Sequence, residues 1–362
     1  MELAFPSDIS ALIKSPGWKQ RTKSLQKKLA GVSSLFKSKS HSSPDELFFS
    51  VEDLPYLGKE YWFLYFSDPA SDLQAILTLG RSAEPVKVNR SSVLGCKSKG
   101  KRHIDCAAVC WLYSGKKRVL FDSVASVRIH RGKIENSLIA SSEGNEASIR
   151  GDYPDFDIRL SKKGKVVFFA RACFPKEGIP YEMINLLKNP LVSKLSSAMI
   201  NYYFDFNGKM SGKNVSGKAY LQKVVAVMPL APWNWVRINF SRGACLDFFS
   251  GKPLGSVPAI HFADNVYFEE DGVRTKISGD IKLTSFMDGE SRIWLLSGNG
   301  FFLSMRTYAL QPFVMKQRTT FRYNEYLVRV TDFAFKTKDK EHSLLSLGEG
   351  RGIVEEASGY LI

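Results

Sequence analysis

The chain is short of cysteine, histidine and acid, and each shortage excludes something. Its five cysteines, Cys96, Cys106, Cys110, Cys173 and Cys245, are odd in number and scattered over 362 residues. That pattern excludes a secreted disulfide framework and fits a reducing compartment. Only Cys106 and Cys110 lie close; in "DCAAVCW" they lack the C-x-x-C spacing of zinc sites and read as buried core thiols. The five histidines, His41, His103, His130, His261 and His342, are isolated, with no H-E-x-x-H or similar pattern among them, so neither a metal nor a cofactor is expected. No G-x-S-x-G elbow or phosphate-binding loop is present. "GEGRGIVEE" echoes G-x-G-x-x-G, but no helix and second strand follow it. Long apolar runs are missing too: the longest, "VVAVMPLAPW", is broken by two prolines. With no basic-then-apolar start either, neither a signal peptide nor a membrane span is expected, and a cytoplasmic protein is.

The shortage of acid leaves 51 Lys and Arg against 36 Asp and Glu, a net charge of +15. Such a field favours nucleic acid or an anionic membrane surface. Residues 1–43 hold Lys14, Lys19, Arg21, Lys23, Lys27, Lys28, Lys37 and Lys39 against only Glu2 and Asp8, with Leu12, Trp18, Leu25, Leu29 and Phe36 between them. This is the pattern of a basic amphipathic helix, either lying on a membrane or docked on the body with a solvated lysine face. Peripheral membrane contact through residues 1–43 is one expectation. The alternative is a nucleic-acid-binding protein that uses "VRIHRGK" or "KQRTTFRY" to stack bases. No RRM, KH or helix-turn-helix pattern accompanies these stretches, which argues against nucleic acid.

What is present in quantity is strand. From about residue 47, "EYWFLYF", "RVLFDSVASVRIH", "FDIRL", "KVVFFARACF", "NYYFDFNGKMSG", "WVRINF", "VYFEEDGVRTKISGDIKL", "RIWLLSG", "FFLSMRTYAL" and "YLVRVTDFAF" are short, rich in aromatic and β-branched residues, and punctuated by turn residues. One interior helix is expected, in "PYEMINLLKNPLVSKLSS". Without a strand-helix-strand rhythm a doubly wound fold is excluded. The number of strands suggests two successive antiparallel barrels, since closure removes exposed edges. The expected division is a basic extension over 1–45, a first barrel over 46–250 and a second over 251–362.

Alternation in a strand puts Trp233, Trp235, Arg237 and Asn239 of "WNWVRINF" on one face, and Val236, Ile238 and Phe240 on the other. Two indoles beside a guanidinium and an amide suit a pocket for an apolar molecule with a polar end, although plain core packing accounts for them as well. In "AYLQKV", Tyr220 and Gln222 share one face, and Leu221 and Lys223 the other.

"GKAYLQKVVAVMPLAPWNWVRIN" resembles a segment of tocopherol cyclases and related lipocalin-like proteins that reads Gly-x-x-Tyr-x-Glu-Lys-x-Trp-Gly-x-x-Phe-Pro-x-x-Trp-x-Trp-x-x-x-Asn. The matches are Gly217, Tyr220, Lys223, Pro229, Trp233, Trp235 and Asn239. "EYWFLYFSDP", with Glu60 and Trp62, resembles the opening of the carotenoid 1,2-hydratase and AttH-like group, and the ending "GEGRGIVEEASGYLI" is similar to that group's glycine-rich closing strand. The resemblance implies two successive lipocalin-like antiparallel β-barrels with a few short helices. It also implies a hydrophobic isoprenoid- or polyene-like small-molecule ligand in a barrel cavity, with hydration or cyclisation of it as the activity if the protein is an enzyme. Trp62, Gln222, Lys223, Trp233, Trp235, Arg237 and Asn239 are the expected ligand-binding residues. One departure matters: Gln222 stands where the family pattern has Glu, and an amide supplies no proton. Glu60, Tyr220 and Asp205 are the candidate catalytic acids in its place, because a carboxyl in an apolar cavity stays protonated near neutrality.

Overall fold

A computed structural model describes residues 45–51, 54, 58–93, 103–132, 135–173, 196–227, 230–251, 265–277, 279–298, 300–337 and 340–361. The expected basic extension and the helix in "PYEMINLLKNPLVSKLSS" fall almost wholly outside these residues, as do Cys96, His41 and His261.

Within them the chain is almost entirely β. The first sheet comprises β1 (Gly58–Asp68), β2 (Leu73–Ser82), β5 (His103–Ser114), β6 (Lys117–Phe121), β7 (Val124–Arg131), β8 (Asn136–Ser142), β9 (Asn145–Asp152), β10 (Asp155–Lys162), β11 (Lys165–Cys173), β12 (Ser196–Met210) and β13 (Lys213–Val227). Each strand pairs with its chain neighbour, β13 returns to β1, and β2 pairs with β5, so ten strands close into an antiparallel barrel with β6 attached to β5. Two-residue turns set much of this register. Glu143-Gly144, Lys163-Gly164 and Ser211-Gly212 each have positive φ at both positions, the conformation that joins twisted strands most tightly.

The second sheet comprises β3 (Val86–Val88), β4 (Ser91–Val93), β14 (Trp233–Phe240), β15 (Cys245–Gly251), β16 (Asn265–Glu270), β17 (Val273–Ile277), β18 (Lys282–Asp288), β19 (Ser291–Gly298), β20 (Phe301–Lys316), β21 (Thr320–Lys336), β22 (Glu341–Ser343) and β23 (Gly350–Gly359). Its main path runs β17-β16-β15-β14-β23-β21-β20-β19-β18 and curls around one core, in which Val236, Leu246, Phe268, Trp294, Leu303, Val328 and Val354 meet. The change of sheet therefore comes after Val227, ahead of the expected division at residue 250. The hairpin β3-β4, although early in the chain, also pairs with β20 of the second sheet. Two four-residue helices, α1 (Asp45–Phe48) and α2 (Leu344–Leu347), complete the described elements.

Among the described residues, bulky apolar side chains crowd the interior of the first barrel. Trp62, Phe66, Phe156, Phe168, Tyr202, Phe206 and many aliphatic side chains pack its interior, and Phe48 of α1 and the adjoining Phe49 join the same core against Phe156 and Tyr202. A third apolar cluster lies outside both cores. Phe63, Tyr65, Ile76, Val109, Trp111 and Tyr220 on the outer face of the first barrel meet Trp235, Phe313, Phe321, Tyr323, Leu327 and Ile353 of the second sheet. The long strands β20 and β21 serve both units: Leu303, Met305, Val328 and Val330 wall the second core, while Phe313, Phe321 and Tyr323 reach the junction. A register shift between Thr307 and Ala309 marks the change in β20.

Candidate functional site at the junction of the two sheets

The alternation expected for 233–240 holds, and it decides where the aromatic face points. Val236, Ile238 and Phe240 enter the second core, so Trp233, Trp235 and Arg237 must face outward, toward the first barrel. The aromatic face therefore lies between the two sheets. Trp235 meets Phe63 edge-on at 5.4 Å between ring centroids and Tyr220 at 5.3 Å. Trp233 lies against Phe321 and Tyr323. Arg237 pairs with Asp247 at 2.7 Å and lies over the rings of Tyr203 and Tyr220, while Asp247 also accepts from Trp235 Nε1 at 2.8 Å. Tyr220 OH donates to Asn201 Oδ1 at 3.0 Å, and Gln222 Nε2 donates to the Tyr220 hydroxyl at 2.5 Å. Asn239 is buried, and neither atom of its amide finds a partner among the described residues.

The other expected residues go elsewhere. Glu60, Trp62 and Lys223 point into the first barrel. There the Glu60 carboxylate joins Arg81 and, at 2.8 Å, Lys223 Nζ; that ammonium lies 3.5 Å from the Trp62 ring centroid and donates to Ser50 O. All three ionic side chains of this cluster are buried. Burial pushes the Lys223 amine down to about 8, against the attraction of Glu60. Glu60 is thus held between two cations in the first barrel, apart from the aromatic face of β14. Asp205 is a surface residue paired with Lys218 at 2.6 Å, away from any apolar cavity. Tyr220 alone of the three candidate acids faces the junction, and burial drives its phenol well above the usual range, far from proton donation near neutrality.

The junction supplies acids that alternation within single strands did not single out. Glu325 of β21 and Glu355 of β23 are direct antiparallel partners, which puts both side chains on the face turned toward the first barrel. Glu325 accepts from Trp111 Nε1 at 2.5 Å and Thr78 Oγ1 at 2.8 Å, both on the first barrel. Glu355 accepts from the Tyr323 hydroxyl at 2.5 Å and Trp233 Nε1 at 3.0 Å, and its strand neighbour across β14 is Trp235. Neither carboxyl has an ion pair with Lys or Arg among the described residues. Burial raises Glu325 to about 7 and Glu355 to about 8, against the pull of their hydrogen-bond donors, and Glu325 raises Glu355 further. The Tyr61 phenol is also pushed up, by burial first and then by the nearby Glu355.

Among the described residues no group of three His, Cys, Asp or Glu side chains could hold a metal ion, and no helix is long and apolar enough to cross a membrane. An open groove of about 540 Å³ between the β3-β4 hairpin and the end of β20 is lined by the charged Glu84, Lys87, Lys316 and Arg318 together with Pro85 and Val86, a mixed surface.

No protein-family model matches this chain, and no curated protein does. Among solved structures it is similar to a candidate AttH from Nitrosomonas europaea, at 13% identity and a TM-score of 0.44, over 90% of this chain and 98% of that one. It is also similar to CghA with Sch210972, at 11% identity and 0.41, over 83% and 87%. A third is kievitone hydratase from Nectria haematococca, at 9% identity and 0.41, over 88% and 95%. With every score below 0.5, none of these likenesses carries an argument about chemistry. The fold stands on the chain's own strand pairings.

Proposed function

We propose that the protein binds a hydrophobic isoprenoid- or polyene-like small molecule at the junction of its two sheets and catalyses hydration or cyclisation of it by acid. The carrying observation is the pair Glu325 and Glu355, buried side by side in an aromatic wall with no ion pair to Lys or Arg among the described residues. A carboxyl that stays protonated near neutrality is the group these reactions require. Glu355 is the donor in this reading. Its partner Trp233 is only half-buried, whereas Glu325 is tied to the first barrel by Trp111 and Thr78. The Glu355 proton passes to one carbon of an alkene, the π pair forms the new C–H bond, and the adjacent carbon becomes cationic. Water then adds to it with loss of a proton, or another π bond of the same chain closes a ring and the cyclic cation so formed loses a proton from a neighbouring carbon; in both branches the proton released restores the Glu355 carboxyl. The hydrogen bonds from Tyr323 and Trp233 stabilise the carboxylate left behind, and the indole faces stabilise the passing cation. Gln222, which takes the place of the family pattern's Glu, orients Tyr220 in this scheme and transfers no proton.

The test is native mass spectrometry of the purified protein with organic extraction of what travels with it, alongside titration with all-trans-retinol as a polyene probe. Trp235→Ala is expected to weaken retention and retinol binding at least about tenfold, or about 1.4 kcal/mol. Glu355→Gln is expected to keep binding and lose turnover of any extracted substrate. Binding indifferent to Trp235 contradicts a junction site.

A further inference from the structure

Strand β18 ends the second sheet: among the described residues its only ladder is to β19, and its neighbour in the chain, β17, does not pair with it. All but one of its side chains are exposed, with Phe286 53% and Met287 58% accessible. Exposure on both faces means that the strand projects beyond the core it borders. An edge with unpaired N–H and C=O groups and large apolar side chains is a template for another strand, and soluble proteins ordinarily blunt such edges.

The sequence of this edge, KLTSFMD, is complementary to itself when run antiparallel about Ser285. Two copies so paired place Lys282 opposite Asp288 at both ends, Leu283 opposite Met287 on one face and Thr284 opposite Phe286 on the other. We propose that the protein forms a two-fold symmetric dimer by pairing β18 with β18 of a second copy. The charges select this occupant: an unrelated strand meets no matching pair of ends, whereas a second copy meets both by symmetry. Lys282 also pairs with Asp280 at 2.8 Å and Asp288 with Arg306 at 2.5 Å, but these pairs are solvent-exposed and cost little to share. Seven residues a side fall well short of the roughly 20–30 of a standard interface, so the dimer is weak and depends on concentration.

Sedimentation equilibrium of the full chain from low micromolar to near-millimolar concentration tests this. Dimer formation is expected to weaken about tenfold or more in Asp288→Lys and in Lys282→Asp, since each variant sets like charges opposite each other twice. The double variant K282D/D288K is expected to restore it. Both sites are exposed, and far-UV circular dichroism checks that each of the three variants is folded. A monomer at every concentration overturns the proposal, as does a dimer that ignores the single reversals or is not restored by the swap.

Discussion

Glu325 and Glu355 face each other as direct partners across β21 and β23, each accepting hydrogen bonds from a tryptophan and a hydroxyl and neither forming an ion pair with Lys or Arg among the described residues. Two adjacent buried carboxyls cannot both ionise cheaply. Much of the behaviour expected of this protein follows from that arrangement.

The first consequence is a pH dependence of stability. Both groups hold protons in the folded chain up to about 7 and 8, whereas the ordinary value is 4.5. Between 4.5 and about 7 the folded state binds more protons than the unfolded one, so their contribution is fully present at the acid end and is lost as pH rises. At roughly 1.4 kcal/mol per unit for each group, the loss is of the order of several kcal/mol. Lys59 and Lys223, pushed down to about 8 by burial, act with the opposite sign and only above that pH. Urea unfolding from about pH 5 to pH 7.5 should show the fall, and the double variant E325Q/E355Q should flatten it.

Trp111→Phe removes the indole N–H that Glu325 accepts at 2.5 Å and leaves the ring volume largely filled. The cost should be about 1–3 kcal/mol, read from the urea midpoint, for a buried carboxyl oxygen left without a donor. Because that bond crosses from the first barrel to the second sheet, the variant should also loosen the junction. Faster hydrogen exchange at β5 and β21 than in the first core would show it.

Lys223→Met separates the barrel interior from the junction. It deletes one cation of the buried Glu60 cluster, and such a break costs about 3–5 kcal/mol. Retinol binding per folded molecule should nevertheless be unchanged, because Lys223 faces the packed interior. Loss of binding in a folded Lys223→Met protein would move the site into the barrel.

Gly352→Ala probes how closely the strands approach at the junction. A Cβ there would lie 2.1 Å from the Arg237 carbonyl oxygen, and the Gly352 carbonyl itself accepts from Gln74 Nε2 of the first barrel at 2.8 Å. Backbone must shift to admit the methyl, so a loss of about 1–3 kcal/mol is expected by thermal unfolding.

Much of this was legible in the sequence. The aromatic and β-branched runs mark the strands, and strict alternation in "WNWVRINF" and "AYLQKV" separates Trp235, Arg237 and Tyr220 from Val236, Ile238 and Lys223 as the structure does. Alternation names two faces but not what covers each. Lys223 and Trp62 lie in the interior of the first barrel and Asp205 in solvent, apart from the aromatic face that the same reasoning grouped with them. Glu325 and Glu355 were missed because their partnership spans 30 residues and the donors to Glu325, Thr78 and Trp111, lie more than 200 residues away. The available signal was a glutamate on the face opposite Tyr326 and Val328 in "YNEYLVRV", and two adjacent glutamates in the apolar strand "GIVEEASG". A charge inside such a run must find a buried partner or give up its ionisation.

The most direct measurement is a carbon-13 NMR titration of the glutamate side-chain carboxyls, with Glu325 and Glu355 assigned by their single Gln variants. Midpoints near 7 and 8, and a downward shift of Glu355 when Glu325 is replaced, are expected from a protonated pair at the junction. Midpoints near the ordinary 4.5, indifferent to the neighbour, would mean that both carboxyls are ionised at neutral pH and that the junction holds no acid.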